Sequence, residues 1–167
     1  MVENYAKIIQ VIADANGIVG RKKLQKMIYI AKKLDVPFEE KFSFHFYGPY
    51  SEELTVRIDE LCELGYLQEN KEDKGNYYQY RYEVTTEGQE LLVEQEMETL
   101  PCTELVLKLN SESSRFLELV STIMFFDELS KEEVIEKIFT LKAKQNYTLE
   151  EINLAYQYID SLNTMVQ

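Results

Sequence analysis

The chain has 167 residues, 45% of them hydrophobic, and a net charge of −12. That length fits one sizeable domain or two small ones sharing a core, and no apolar run approaches the ~20 residues that a membrane-spanning helix needs. The charge is uneven, balancing at +2 over residues 1–40, −9 over 41–100 and −5 over 101–167, and a field of that sign repels phosphate backbones. Met1-Val2-Glu3-Asn4-Tyr5 lacks a basic region followed by an apolar block, so no signal peptide and a cytoplasmic location are expected. Cys62 and Cys102 form no CxxC pair and are read as reduced thiols.

In chain order, Ile8, Ile9, Val11, Ile12 and Ala15 recur at helical spacing over residues 2–15, and Asn16-Gly17 is a stop signal. A second helix is expected from Gly20-Arg21, burying Leu24, Met27, Ile28, Ala31 and Leu34. Lys22, Lys26, Tyr29 and Lys33 share another face, with Arg21 and Lys23 at its basic start. Such a stripe is either a solvated helix face or a docking face for an anionic partner. Pro37 ends this helical region.

Phe42 to Tyr47 alternates, with Phe42, Phe44 and Phe46 opposite Ser43, His45 and Tyr47, which predicts a half-buried strand. Gly48-Pro49 is a turn signal, and Ser51 is placed to cap a helix whose first turn holds Glu52 and Glu53. Leu54, Ile58, Leu61 and Leu64 form its apolar face. The stretch Leu67 to Val84 predicts a hairpin, with a polar loop over 69–76 and Tyr78, Tyr80, Tyr82 and Val84 on one face of the return strand.

Thr85-Thr86 starts a further helix to about Glu98, closed by Pro101, and 99–103 is the expected boundary. Two or three helices follow. One covers 111–126, with Phe116, Leu119, Val120, Ile123 and Phe126 inward. Capping boxes at Ser130-Lys131-Glu132-Glu133 and Thr148-Leu149-Glu150-Glu151 open the others. Val134, Ile135, Ile138 and Leu141 face inward on the first of these, and Ile152, Ala155, Ile159, Leu162 and Val166 on the second. The fold expected is mainly α with a small antiparallel β wing. It comprises a winged helix-turn-helix-like domain over 1–99 and a C-terminal helical bundle over 103–167 sharing or abutting its core.

The helix after Ser51 would hold the recognition position of a winged helix, yet it carries Glu52, Glu53, Asp59, Glu60 and Glu63 against Arg57 alone. DNA-reading helices present Arg, Lys, Asn or Gln to base edges and phosphates. His45 is the only histidine, so no His-based metal site is expected. No nucleophile–base pair, general acid–base pair or phosphate-binding glycine loop stands out; neither a catalytic residue nor a cofactor is expected.

Gly20-Arg21-Lys22-Lys23-Leu24-Gln25-Lys26-Met27-Ile28-Tyr29, Phe44-His45-Phe46-Tyr47-Gly48-Pro49-Tyr50-Ser51 and the segment Leu61–Leu67 resemble the YwgA-like family of bacterial and archaeal proteins over nearly the whole chain. More remotely, the Lys-Leu-Gln-Lys helix followed by a Tyr-Gly-Pro turn is similar to the Panacea/SocA-like domain. That likeness implies a protein that works by contact with other proteins, as that group's antitoxins and proteolytic adaptor do. The expectation is a non-enzymatic regulatory or adaptor protein with a protein partner. Its candidate contact residues are Arg21, Lys22, Lys26, Tyr29, His45, Tyr47, Tyr50 and Ser51. The alternative is a winged-helix DNA-binding transcriptional regulator, with DNA disfavoured by charge. The apolar stripe of the last helix also offers a surface for a homodimer.

Overall fold

Helix α2 (Arg21–Lys33) buries eight successive residues, Leu24 to Ala31, all round its axis. A helix so enclosed needs neighbours on every side. In the computed structural model, which describes residues 2–95 and 103–166, these include strand β1 (Ile18–Val19), strand β3 (Gly48–Tyr50), helix α5 (Thr103–Asn110) and helix α6 (Ser114–Phe125). Helix α1 (Val2–Asp14) packs on α5 and on helix α4 (Thr86–Glu94). It ends as its sequence predicts: Asn16 and Gly17 have φ of 55° and 97°, and Gly17 N donates to Ile12 O at 3.1 Å.

The protein is mainly helical, with two small antiparallel sheets. Strands β4 (Leu67–Asp73) and β5 (Tyr78–Val84) form a ribbon, and β1 pairs with β5 to give the order β1-β5-β4. Strand β2 (Ser43–His45) pairs with β3. Helix α3 (Glu52–Glu63) follows β3, and helices α7 (Lys131–Leu141) and α8 (Leu149–Met165) follow α6. One buried cluster includes Ile8, Leu24 and Leu54 from the first part of the chain and Leu105, Leu119 and Ile152 from the second.

The expected caps form. Ser51 Oγ accepts from Leu54 N at 3.0 Å, Thr85 Oγ1 accepts from Gly88 N at 3.0 Å, and both capping boxes close, Ser130 with Glu133 and Thr148 with Glu151.

Several elements differ from expectation. Gly48-Pro49 lies in strand β3, and the turn is Phe46-Tyr47, because His45 pairs with Gly48 and Phe44 with Pro49. The polar run after Leu67 is strand rather than loop. An exposed ribbon needs ladder bonds more than apolar side chains, and Glu72 pairs across it with Arg81 and Gln79. β1 is a two-residue strand with too little sequence to show a period. Four helices follow residue 102 rather than two or three, since α5 is short but buries Leu105, Val106 and Leu109. Leu64 and Val166 are caps and Leu141 ends α7, and all three are exposed instead of inward. Glu98, Pro101 and nearly all of the expected boundary at 99–103 lie outside the described residues.

Candidate interaction face

Gln25 and Lys26 of α2 are each 1% exposed, so their polar heads require partners inside the protein. Gln25 Nε2 donates to Ser51 O at 2.8 Å, and Ser51 N donates to Gln25 Oε1 at 2.9 Å. The side-chain amide thus pairs with one backbone unit as a neighbouring strand would. Gln25 Nε2 also donates to Thr55 Oγ1 at 3.0 Å, and Thr55 Oγ1 lies 2.9 Å from Tyr50 Oη. Lys26 Nζ donates to Pro49 O at 2.6 Å. The Lys-Leu-Gln-Lys helix and the Tyr-Gly-Pro-Tyr-Ser stretch are therefore clasped to each other.

Beneath the β2–β3 hairpin lies Glu118 of α6, its side chain 1% exposed. Lys22 Nζ is 2.7 Å from Glu118 Oε1 and Lys142 Nζ is 3.7 Å from Oε2. Tyr147 Oη donates to Oε2 at 3.3 Å. Lys142 Nζ also donates to Phe46 O at 2.5 Å, so lysines from two distant helix regions hold the hairpin by its backbone oxygens. Burial lowers the Lys26 ammonium to about 8 and also lowers that of Lys142, while Glu118 partly restores both. Gly48, at φ 89°, brings the hairpin onto α6: a Cβ there would lie 3.2 Å from Thr122 Oγ1 and 3.6 Å from Glu118 Cγ.

This mounting presents two aromatic rings to solvent. Phe46 is 63% and Tyr47 56% exposed, with ring centroids 4.9 Å apart, edge to face. Lys22 Nζ lies 4.5 Å from the Tyr47 centroid and Lys144 Nζ 6.0 Å from that of Phe46. His45 is exposed beside them, its ring tilted 5.0 Å from Tyr50 and its Nε2 3.0 Å from Ser43 Oγ.

Along 162 residues the chain is 56% identical to a Bacillus subtilis (strain 168) protein named "Uncharacterized protein YwgA", covering 97% of this chain and 98% of that relative. The chain belongs to the YwgA-like family. No protein-family model matches it. In this YwgA-like chain, the two motifs that carry the resemblance are the two sides of the clasp.

The structure sorts the residues expected to meet a partner. Lys22, His45, Tyr47 and the half-buried Tyr50 gather at the hairpin with Phe46. Lys26, Tyr29 and Ser51 do not reach the surface: α6 covers the face of α2 that carries Lys26 and Tyr29, and Ser51 is turned inward to cap α3 and pair with Gln25. Burial pushes the Tyr29 hydroxyl up. Arg21 is spent elsewhere, its Nη2 lying 2.9 Å from both Asp59 and Glu69 and its Nε donating to Tyr82 Oη at 3.0 Å. Glu118, Lys142 and the exposed Phe46 tip were not singled out by sequence. A signal for Glu118 exists: α6 carries only Arg115 and Glu118 as charged residues, so the helix reads as enclosed and its acid as needing a cation.

Other chemistry in the YwgA-like chain is sparse. Burial pushes the Cys62 thiol up, away from a nucleophilic thiolate. Among the described residues no group of three or more His, Cys, Asp or Glu could hold a metal ion, and no helix is long and apolar enough to cross a membrane. Helix α3 turns Glu52, Glu53, Asp59 and Glu63 outward, and Glu60 is engaged by Arg57 and by the Tyr5 hydroxyl.

Proposed function

We propose that the protein is a non-enzymatic regulatory or adaptor protein of the cytoplasm, which binds another protein through a winged-helix-like N-terminal part. The observation that carries this reading is the Phe46–Tyr47 tip: two exposed rings on a tight hairpin fixed from below. Aromatic anchors held rigid before binding lose little freedom on docking, and interface hot spots are enriched in such residues. The order α1-β1-α2-α3-β4-β5, with the first strand against the last, supports the winged-helix assignment. The β2–β3 hairpin then stands as an insertion between the second and third helices.

Affinity capture with the native chain and a Phe46→Ala/Tyr47→Ala variant tests the proposal. The expected result is a stoichiometric protein partner retained by the native chain and lost from a variant with unchanged circular dichroism. Absence of any stoichiometric partner, or equal retention by the variant, overturns it. The second reading, a DNA-binding regulator, is favoured by the same element order. Against it stand the outward carboxylates of α3, in the position a DNA-reading helix would occupy. Anisotropy titration with duplex DNA at ~50 mM salt, where phosphate contacts are strongest, is expected to show no binding. The apolar stripe of α8 expected to serve a homodimer is consumed within the chain at Ile152, Ala155 and Leu162, so a homodimer would use the outer side of α8, where Leu149 and Leu154 are exposed; sedimentation equilibrium tests it.

A further inference from the structure

Behind the hairpin, where α2, α6 and α7 meet, lies an open groove of about 650 Å³. Its floor is aromatic. Phe42 packs edge-on against Tyr29 with centroids 5.1 Å apart, and Phe125 and Phe126 extend the surface. A second hollow of about 330 Å³ continues past Phe126 toward α8. In a chain of net charge −12, this trough carries four lysines, Lys32, Lys33 and Lys137 along the first hollow and Lys131 along the second, against three carboxylates, Asp127, Glu128 and Asp160.

Most of these cations lack a carboxylate partner. Lys33 is neutralised by Asp127 at 2.6 Å. Lys32 instead donates to the Glu40 carbonyl, and its Nζ lies 5.9 Å from the Phe42 centroid. Lys137 Nζ lies 5.2 Å from the Phe126 centroid and Lys131 Nζ 5.0 Å from that of Tyr156. Among the described residues neither lysine of α7 makes an ion pair. Aromatic rings hold these ammoniums by their faces and leave the charge available to an incoming anion.

We infer that the trough takes a short acidic segment of a partner protein, with one apolar or aromatic side chain on the ring floor and carboxylates at Lys32, Lys137 and Lys131. The inference rests on the protein-binding reading and names the chemistry of the partner. Carboxylates spaced along a peptide suit the site better than a nucleic-acid strand. Asp127, Glu128 and Asp160 line the same hollows as the lysines, so a strand charged at every unit would meet them, whereas carboxylates spaced along a peptide can fall at the lysines alone. The acidic remainder of the chain repels a long polyanion.

The test is selection from a random peptide library displayed against the full chain. Anisotropy titration of an enriched peptide follows, with the native chain, Lys131→Glu/Lys137→Glu, Lys32→Gln, Phe46→Ala/Tyr47→Ala and, as a charge-matched control on the exposed β4–β5 ribbon, Lys71→Glu/Lys74→Glu. Both α7 lysines are exposed, so that variant should fold, with circular dichroism as the check. The expected peptides combine Asp or Glu with an aromatic or leucine, bind about tenfold more weakly to the α7 variant, lose affinity to Lys32→Gln in the same direction, and keep native affinity for Lys71→Glu/Lys74→Glu. Peptides without excess acid, or affinity unchanged in both lysine variants, overturn the trough. Binding lost only in the tip variant overturns the trough but retains the protein-binding reading. No enriched peptide, with a short oligo(dT) probe binding instead, overturns both.

Discussion

Lys26 gives the sharpest energetic test. Its ammonium is held at about 8 against an ordinary 10.5, chiefly by burial. At about 1.4 kcal/mol per pH unit, that gap corresponds to roughly 3 kcal/mol by which the charged form is disfavoured on folding. Below pH 8 both folded and unfolded chains carry the proton, and the full penalty applies. Between 8 and 10.5 the folded chain releases the proton while the unfolded chain retains it, so the penalty fades as pH rises. Lys26→Met fills a similar volume without a titrating group and leaves Pro49 O without its donor, which costs about 1–3 kcal/mol. At pH 7 the two effects offset, and the variant should lie within about 2 kcal/mol of native. From pH 7 to 10.5 the native chain should gain about 3 kcal/mol relative to the variant. Urea unfolding followed by far-ultraviolet circular dichroism, native minus variant at each pH, measures this, and titrations common to both chains cancel. A difference that stays flat from pH 7 to 10.5 refutes the assignment of Lys26 as a buried cation.

Three further substitutions probe the frame. Gly48→Ala places a Cβ at φ 89° and 3.2 Å from Thr122 Oγ1; it should destabilise by about 1–3 kcal/mol and lower Tm by several degrees in calorimetry. Gly88→Ala in α4 would gain ~1 kcal/mol from helix propensity alone. Its Cβ would instead meet Tyr66 O at 2.3 Å and Val84 Cγ1 at 2.7 Å, so net destabilisation in urea is expected, and a rise in stability would show that α4 is free to shift. Ser130→Ala removes the Oγ that accepts from Glu133 N, leaves the backbone N–H of residue 130 to Glu133, and should cost about 1 kcal/mol, measured by the same unfolding curves.

The caps at Ser51, Ser130 and Thr148 were legible because capping is settled within four residues of chain. The apolar faces of α1 and α3 were legible because helical periodicity names them, and with them the outward acids of α3. Lys26 was not legible as a buried group. A lysine on a helix normally marks solvent, and what encloses this one is Gly48 and α6, the latter some ninety residues away. The hairpin was half legible: its aromatics were visible, but the glycine and proline that usually mark a turn belong to strand β3, and the turn falls on two aromatic residues. The return strand β5 was legible from the alternation of Tyr78, Tyr80 and Tyr82, whereas the polar run of β4 after Leu67 carries no apolar period because most of the ribbon is exposed. The lysine trough joins Lys32 to Lys137 and Lys131, a proximity that follows from how α6 and α7 stack and from no local pattern.

The lysines that hold the hairpin take their grip on Pro49 O and Phe46 O. A main-chain oxygen is present whatever side chain a residue bears. The attachment is therefore indifferent to what stands at 46 and 47, and only Gly48, pressed against Thr122, is bound to its identity by the fit. The tip is thus a position where side chains can be exchanged while the chassis is retained. Such a layout would let related chains address different surfaces by changing two residues, and it offers a fixed mount on which new contact pairs can be grafted.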